Sequence, residues 1–181
     1  MSDSRATWMI GKPIRKAEAD AFRAAGLFVV SNYQYSAGGN TTSDWTIPSD
    51  GPGDARRGLQ LHSAAGGPPD APIYVSVDAS PTRDMYLNQV LPYLKGWRDV
   101  IGDARMGVYC NGRITQWLIG DGFGHWFFWG HNWSDNWRHE NGTNVHPAWH
   151  IHQFEIDKIV PGISFGIDKN RILKSEFGQW K

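Results

Sequence analysis

The stretch "APIYVSVDAS", Ala71–Ser80, decides the fold. Its short apolar run has the character of a strand buried on both faces, as in parallel sheets covered by helices. It delivers one carboxylate, Asp78, to the C-terminal end of that strand, with Ala79 and Ser80 behind it. Whether Asp78 performs chemistry or only terminates a strand is the question on which function turns.

The surrounding chain supplies the helices such a strand requires. Upstream, "PIRKAEADAFRAAG" places Ile14, Ala17, Ala21, Phe22 and Ala25 near one helical face, and Gly26 stands where a C′ glycine ends a helix. The β-rich "LFVVSNYQY" follows, then the long irregular loop "SAGGNTTSDWTIPSDGPGD", whose Asp54 is a candidate cap for the helix "ARRGLQLHSAAGG". Downstream come the helix "SPTRDMYLNQVLPYLKGWRDVIG", interrupted by Pro92, the strand "ARMGVYC" and the helix "GRITQWLIGDGF". The strands "HWFFWGHNW" and "WHIHQFEI" and a final "ISFGIDKNRI" complete the order. This alternation predicts an α/β fold, with a (β/α) TIM-like barrel as the first expectation and an open doubly wound sheet as the alternative. In a barrel the strand C-termini line one mouth. Gln34, Asp78, Asn111, His131, Gln153 and Asp168 would therefore converge there.

Composition narrows the function. The 181 residues suit one domain, spanning 1–181. Eighteen Lys+Arg balance eighteen Asp+Glu, so nucleic acid and anionic membranes are not expected partners. No apolar run approaches the roughly 20 residues of a membrane span, and the opening "MSDSRATWMIGKP" lacks the core of a signal peptide, so a soluble chain is expected. The lone cysteine, Cys110, sits in apolar "MGVYCNG" and reads as a quiet strand thiol. Ten tryptophans offer flat faces that pack a core or stack on sugars. Trp126 and Trp129 have opposite strand parity, so only one can face inward. Trp133, Trp137 and Trp149 lie among polar residues and are candidate stacking surfaces.

Several segments in order, "AFRAAGLFVVSNYQ", "GPGDARRGL", "AAGGPPDAPIYVSVDAS", "YLKGWRDVIGDARMGVYCNGRI", "WFFWGHNW", "HIHQF" and "GIDKN", resemble the glycoside-hydrolase-like barrel domains of secreted actinobacterial proteins and phage lysins. That group is in turn similar to the lysozyme-like muramidases that cut peptidoglycan. The resemblance runs from about residue 14 to residue 173 and implies a (β/α) barrel acting on cell-wall glycan. The family pattern begins with an aspartate-bearing strand that has no counterpart here. The chain thus starts inside the barrel, or the barrel is shortened, or a neighbouring chain or domain completes it. The resemblance implies catalytic roles for Asp78 and Asp168. Asn170 matches a common polar partner of the latter.

Glycoside hydrolysis usually employs two carboxyl groups. In the resembling family the strand of Asp78 ends in an Asp-x-Asp or Asp-x-Glu pair, whereas here the second member is Ser80, which cannot donate a proton as a general acid near neutral pH. Gln34 likewise stands where Glu is frequent. Gln34, Ser80, Asn111, Trp129, His131, Gln153 and Asn170 form the expected substrate-binding set. Glu155 is a weaker candidate for a substitute acid. His125, His131, His139, His146, His150 and His152 form a cluster whose metal-binding potential lacks a defined ligand geometry, so no metal or cofactor is expected. Asn141-Gly-Thr fits a glycosylation acceptor and a turn equally. Three functions remain open: a muramidase-like hydrolase of peptidoglycan, a glycan-binding barrel without turnover, and a structural part of a phage particle.

Overall fold

The structure is a computed structural model that describes residues 13–35, 43–123, 126–129 and 146–181. The elements are α1 (Lys16–Ala24), β1 (Val29–Tyr33), α2 (Gly51–Ala64), β2 (Ile73–Ser76), α3 (Leu91–Ile101), β3 (Met106–Cys110), α4 (Gly112–Gly120), β4 (Trp126–Trp129), β5 (Ile151–Lys158), β6 (Ile167–Ile172) and β7 (Gln179–Trp180). One mixed sheet has the order β6-β5-β4-β3-β2-β1-β7. Strands β1 to β5 are parallel and lie in chain order, while β6 and β7 run antiparallel at the two edges.

Among the described residues the expected TIM-like barrel is therefore corrected to an open, half-barrel α/β sheet. The physical reason is connection length. Parallel neighbours need a crossover of a dozen or more residues. Residues 159–166 are too few for one, so β6 folds back on β5 as a hairpin. At the other edge β7 pairs with only Val29 and Val30 of β1. The doubly wound alternative is also absent, because the parallel run never reverses its order.

Right-handed crossovers place the helices of such a run on one face of the sheet. There Ile73, Val75, Met106, Val108, Cys110 and Phe127 pack with Leu94, Trp97, Ile114, Leu118 and Trp149 in the main core. Strand parity sends the alternate residues to the opposite, inner face, where Tyr74 packs with Ile151 and Phe177 and donates its hydroxyl to Phe177 O (2.9 Å). The C-terminal segment thus closes one end of the inner face.

Local chemistry departs from expectation at three points. Helix α2 begins at Gly51 with Pro52 in its first turn, so Asp54 is inside the helix and does not cap it; its carboxylate accepts from Tyr33 Oη (3.0 Å) and Tyr93 Oη (2.9 Å). The helix around Pro92 shifts register: Tyr86–Val90 form a π segment in which Leu91 N–H bonds Tyr86 O, and α3 starts anew with the proline in its first turn. In α1 the single buried residue is Ala19, while Ala17, Ala21, Phe22 and Ala25 of the expected face are exposed. Gly26 does end the helix as read, with φ of 81° and Leu27 N–H reaching back to Phe22 O.

Candidate functional site

A cavity of about 540 Å³ runs along β1, between Gly58, Leu61 and His62 of α2 on one side and Tyr109, Gln153 and Asp168 on the other. Its lining includes all residues from Val29 to Tyr35, so it wraps the strand's edge and does not sit on one face only. Gln34, Asp78, Tyr109, Gln153, Asp168 and Asn170 share this lining. Asp78 reaches it because β2 ends at Ser76, and period-two alternation carries the inner-face parity of Tyr74 and Ser76 to residue 78. Gln34 stands one residue beyond β1. Gln153 is only the third residue of β5, yet β4 pairs with that strand no further than His152, so residue 153 clears the end of the parallel sheet. Asp168 arrives from the opposite direction, as the second residue of antiparallel β6.

The two aspartates are held differently. Asp78 Oδ2 accepts from Gln34 Nε2 (3.3 Å), and Oδ1 accepts no hydrogen bond from any described residue. Both oxygens of Asp168 are engaged: Oδ2 accepts from Gln153 Nε2 (3.1 Å) and Oδ1 from Asp157 N–H (3.0 Å). Tyr109 Oη donates to Gln153 Oε1 (3.0 Å), and Asn170 Nδ2 lies 3.4 Å from Asp168 O. Asp157 adopts φ of 51° beside two register irregularities in β5, which turn its N–H toward Asp168. Among the described lining residues the charged groups are these two carboxylates, with no Lys or Arg. His62, also in the lining, is buried; its Nδ1 faces Ser31 Oγ (2.7 Å), its Nε2 faces Pro68 O (2.8 Å), and burial pushes it below the ordinary histidine range.

Other expected site residues lie elsewhere. Ser80 is exposed and outside the cavity lining. Asn111 is buried and caps α4, accepting from Ile114 N–H (3.0 Å) while its amide donates to Ala79 O (3.3 Å). The side chain of Trp129, and His125, His131, His139, Trp133, Trp137 and Asn141, fall outside the described residues. Trp149 is 1% exposed and donates to Thr115 Oγ1 (3.1 Å), so it belongs to the core and is no stacking platform. Glu155 is pinned by Lys169 (2.9 Å) and Lys158 (3.2 Å), whose hydrogen bonds hold it below the usual glutamate range. That suits a surface ion pair, not a proton donor.

The described histidines serve packing. His146 contacts Gln116 and accepts from Ala148 N–H, with burial and then Lys174 lowering its pKa. Burial, followed by Lys174, pushes His150 down to about 4, and its Nδ1 accepts from Phe127 N–H. No cluster of three His, Cys, Asp or Glu side chains suited to a metal occurs among the described residues. Tyr109 was not singled out in the sequence. Its parity was the available signal: it pairs in register with Ser76, on the same inner face as Asp78.

The cavity gathers hydroxyls and amides around two carboxylates, Asp78 past the C-terminal end of parallel β2 and Asp168 at the start of antiparallel β6. The chain belongs to the Rv2525c-like, glycoside hydrolase-like domain family, which matches residues 1–172. It is 48% identical over 183 residues to a Mycobacterium tuberculosis protein named "Putative peptidoglycan hydrolase Rv2525c", covering 99% of this chain and 72% of that one. Two solved structures of the Mycobacterium tuberculosis Tat-secreted protein Rv2525c are similar over 97% of this chain and 82% of theirs. The complex with L-tartrate gives a TM-score of 0.86 at 48% identity, and the complex with HEPES gives 0.83 at 46%.

Proposed function

We propose that this domain engages bacterial cell-wall glycan in the cavity along β1, outside the cytoplasmic membrane, and that Asp78 is the carboxylate that works on the bound sugar. The observation that carries this reading is Asp78 in the cavity lining, with Oδ2 on Gln34 and no hydrogen bond to Oδ1 from any described residue. An ionised carboxylate there can accept a sugar hydroxyl proton, orient water, or stabilise positive charge developing at the anomeric carbon. Asp168, with a donor on each oxygen, acts as a fixed acceptor and a second negative charge. The name of the Mycobacterium tuberculosis relative supports peptidoglycan as the glycan, and its Tat secretion supports an extracellular setting. The same chemistry would serve a wall-remodelling protein or a phage lysin.

A second reading has its own observation. Hydrolysis needs a carboxyl group that gives up a proton to the leaving oxygen, and Ser80, at the sequence position for it, is exposed and cannot do so. A cavity that holds glycan without turnover fits that fact. The two readings separate when purified mycobacterial peptidoglycan is incubated with the protein and with Asp78→Asn and Asp168→Asn. New reducing ends that vanish in Asp78→Asn establish the hydrolase. Binding in a pelleting assay without new ends establishes the binding module. Reducing ends formed equally well by both variants would refute the site assignment, and a protein that neither binds nor cuts would refute the glycan reading altogether.

A further inference from the structure

We infer that Ser31 and His62 form a nucleophile–base pair, and that the cavity carries a second activity, the cleavage of small acyl esters by way of an acyl-Ser31 intermediate. The pair itself is independent of the glycan reading; only a sugar hydroxyl as the carrier of the ester rests on it. Ser31 of β1 and His62 of α2 both line the cavity. Ser31 is in register with Ile73 of the main core, so it shares the helix-covered face, opposite to that of Asp78. Its Oγ lies 2.7 Å from His62 Nδ1 and 3.1 Å from Trp180 Nε1, and His62 Nε2 lies 2.8 Å from Pro68 O. Both ends of this row have a single role: an indole N–H can only donate, and a carbonyl can only accept. Nε2 therefore carries a proton. With the ring neutral, Nδ1 holds a lone pair, and the hydroxyl that accepts from Trp180 donates its own proton to Nδ1.

These are the parts of an activated serine: a hydroxyl against a base, and the base oriented by a third group, here a backbone carbonyl. Burial, opposed by the Pro68 carbonyl and reinforced by the charge of Arg105, holds His62 below the ordinary histidine range, so the base is unprotonated at pH 7. The ring is also boxed in. Trp180 meets it edge-on with centroids 5.7 Å apart, and a Cβ at Gly67 would collide with it. His62 is buried whereas Ser31 is only half-buried, so the hydroxyl is the member that an ester can reach. In the reaction Oγ bonds to the ester carbonyl carbon as its proton passes to Nδ1, and the Trp180 N–H stabilises the negative charge that grows on Oγ. Collapse of the adduct breaks the ester C–O bond, and the departing alkoxide takes the proton from His62. Water, giving its proton to Nδ1 in turn, attacks acyl-Ser31 and releases the carboxylic acid and the free serine.

The test incubates the full chain with p-nitrophenyl acetate and maps the acetylated residue by peptide mass spectrometry, alongside Ser31→Ala and His62→Gln, each checked for a cooperative unfolding transition. Acetyl-Ser31 with release of p-nitrophenolate is expected in the unsubstituted protein, and acetylation about a hundredfold slower or more in His62→Gln, the contribution of a general base. Ser31→Ala should lose the release altogether. An unsubstituted protein that acquires no acetyl group at Ser31 would overturn the proposal without recourse to any variant. So would folded His62→Gln acetylated at the original rate, which would leave the pair a structural tie between β1 and α2. Acetate release from O-acetylated peptidoglycan that disappears in Ser31→Ala supports the sugar ester. Acetyl-Ser31 without such release upholds the nucleophile and refutes the sugar ester as its substrate.

Discussion

Replacing Tyr93 by Phe tests how the wall behind the cavity is held together. Tyr93 is fully buried, and its hydroxyl donates to Asp54 Oδ2 at 2.9 Å, while Tyr33, which lines the cavity, donates to Oδ1 at 3.0 Å. Burial raises the pKa of Asp54, and the hydroxyls of Tyr93 and Tyr33 oppose that rise. The substitution keeps the ring and removes one donor. A hydrogen bond to a charged group contributes roughly 1.5–3 kcal/mol, and a partly buried carboxylate belongs near the middle, about 2 kcal/mol. For a chain of this length that lowers the unfolding midpoint by roughly 4–8 °C at pH 7. The sign with pH follows from linkage. A carboxyl group whose folded pKa is raised contributes stability that is present at low pH and lost as pH rises through the folded value. Without Tyr93 the folded value rises further, so the variant loses more over the same pH rise. The deficit is thus largest at neutral pH and shrinks on acidification, where a neutral carboxyl group loses only a neutral hydrogen bond. Thermal unfolding of both proteins at pH 4, 5, 6 and 7 measures it. A deficit below about 0.5 kcal/mol at pH 7, or one equal at pH 4 and 7, would refute the reasoning.

Two further outcomes are expected. A Cβ added at Gly58 would stand 2.5 Å from Trp97 Cη2, and Trp97 is fully buried, so Gly58→Ala should destabilise by about 1–2 kcal/mol in urea titration, overpacking exceeding the gain in helix propensity. His62, His146 and His150 all have folded pKa values below the ordinary histidine value, so the stability they contribute is complete above about pH 6.5 and lost as pH falls toward the His150 value of about 4. Asp54 acts in the opposite sense, one group against three. Unfolding midpoints should therefore drop between pH 6.5 and 4, and His150→Gln should flatten that drop; a profile unchanged in the variant would remove His150 from the account.

Much of the site was legible because strand chemistry is local. The apolar run before Asp78, its position just past a strand end, and the polar ends at Gln34 and Gln153 follow from side-chain alternation, and these residues meet in one cavity. Asn111 shows the limit: a polar residue after a buried strand is equally a helix cap, and the bond to Ile114 N–H decides for the cap. Trp149 shows another, since polar neighbours in sequence did not keep it from the core. Asp54 looked like an N-cap because it precedes the periodic residues, yet the helix starts three residues earlier and two tyrosines distant in sequence take its carboxylate.

By itself the sequence determined the alternation of helices and buried strands, the family, and the placing of Asp78 at a strand end, because each depends on period, order and short motifs. Only the tertiary structure decided that the sheet of the described residues is open, for closure depends on what pairs with its edges, and antiparallel β6 and β7 occupy them. It alone separated the two aspartates as well. Asp78 and Asp168 are the same residue type with the same apparent role, and what distinguishes them is the donors around them: one oxygen of Asp78 accepts no hydrogen bond from any described residue, and both oxygens of Asp168 are held by Gln153 and Asp157 of the neighbouring strand in its own hairpin.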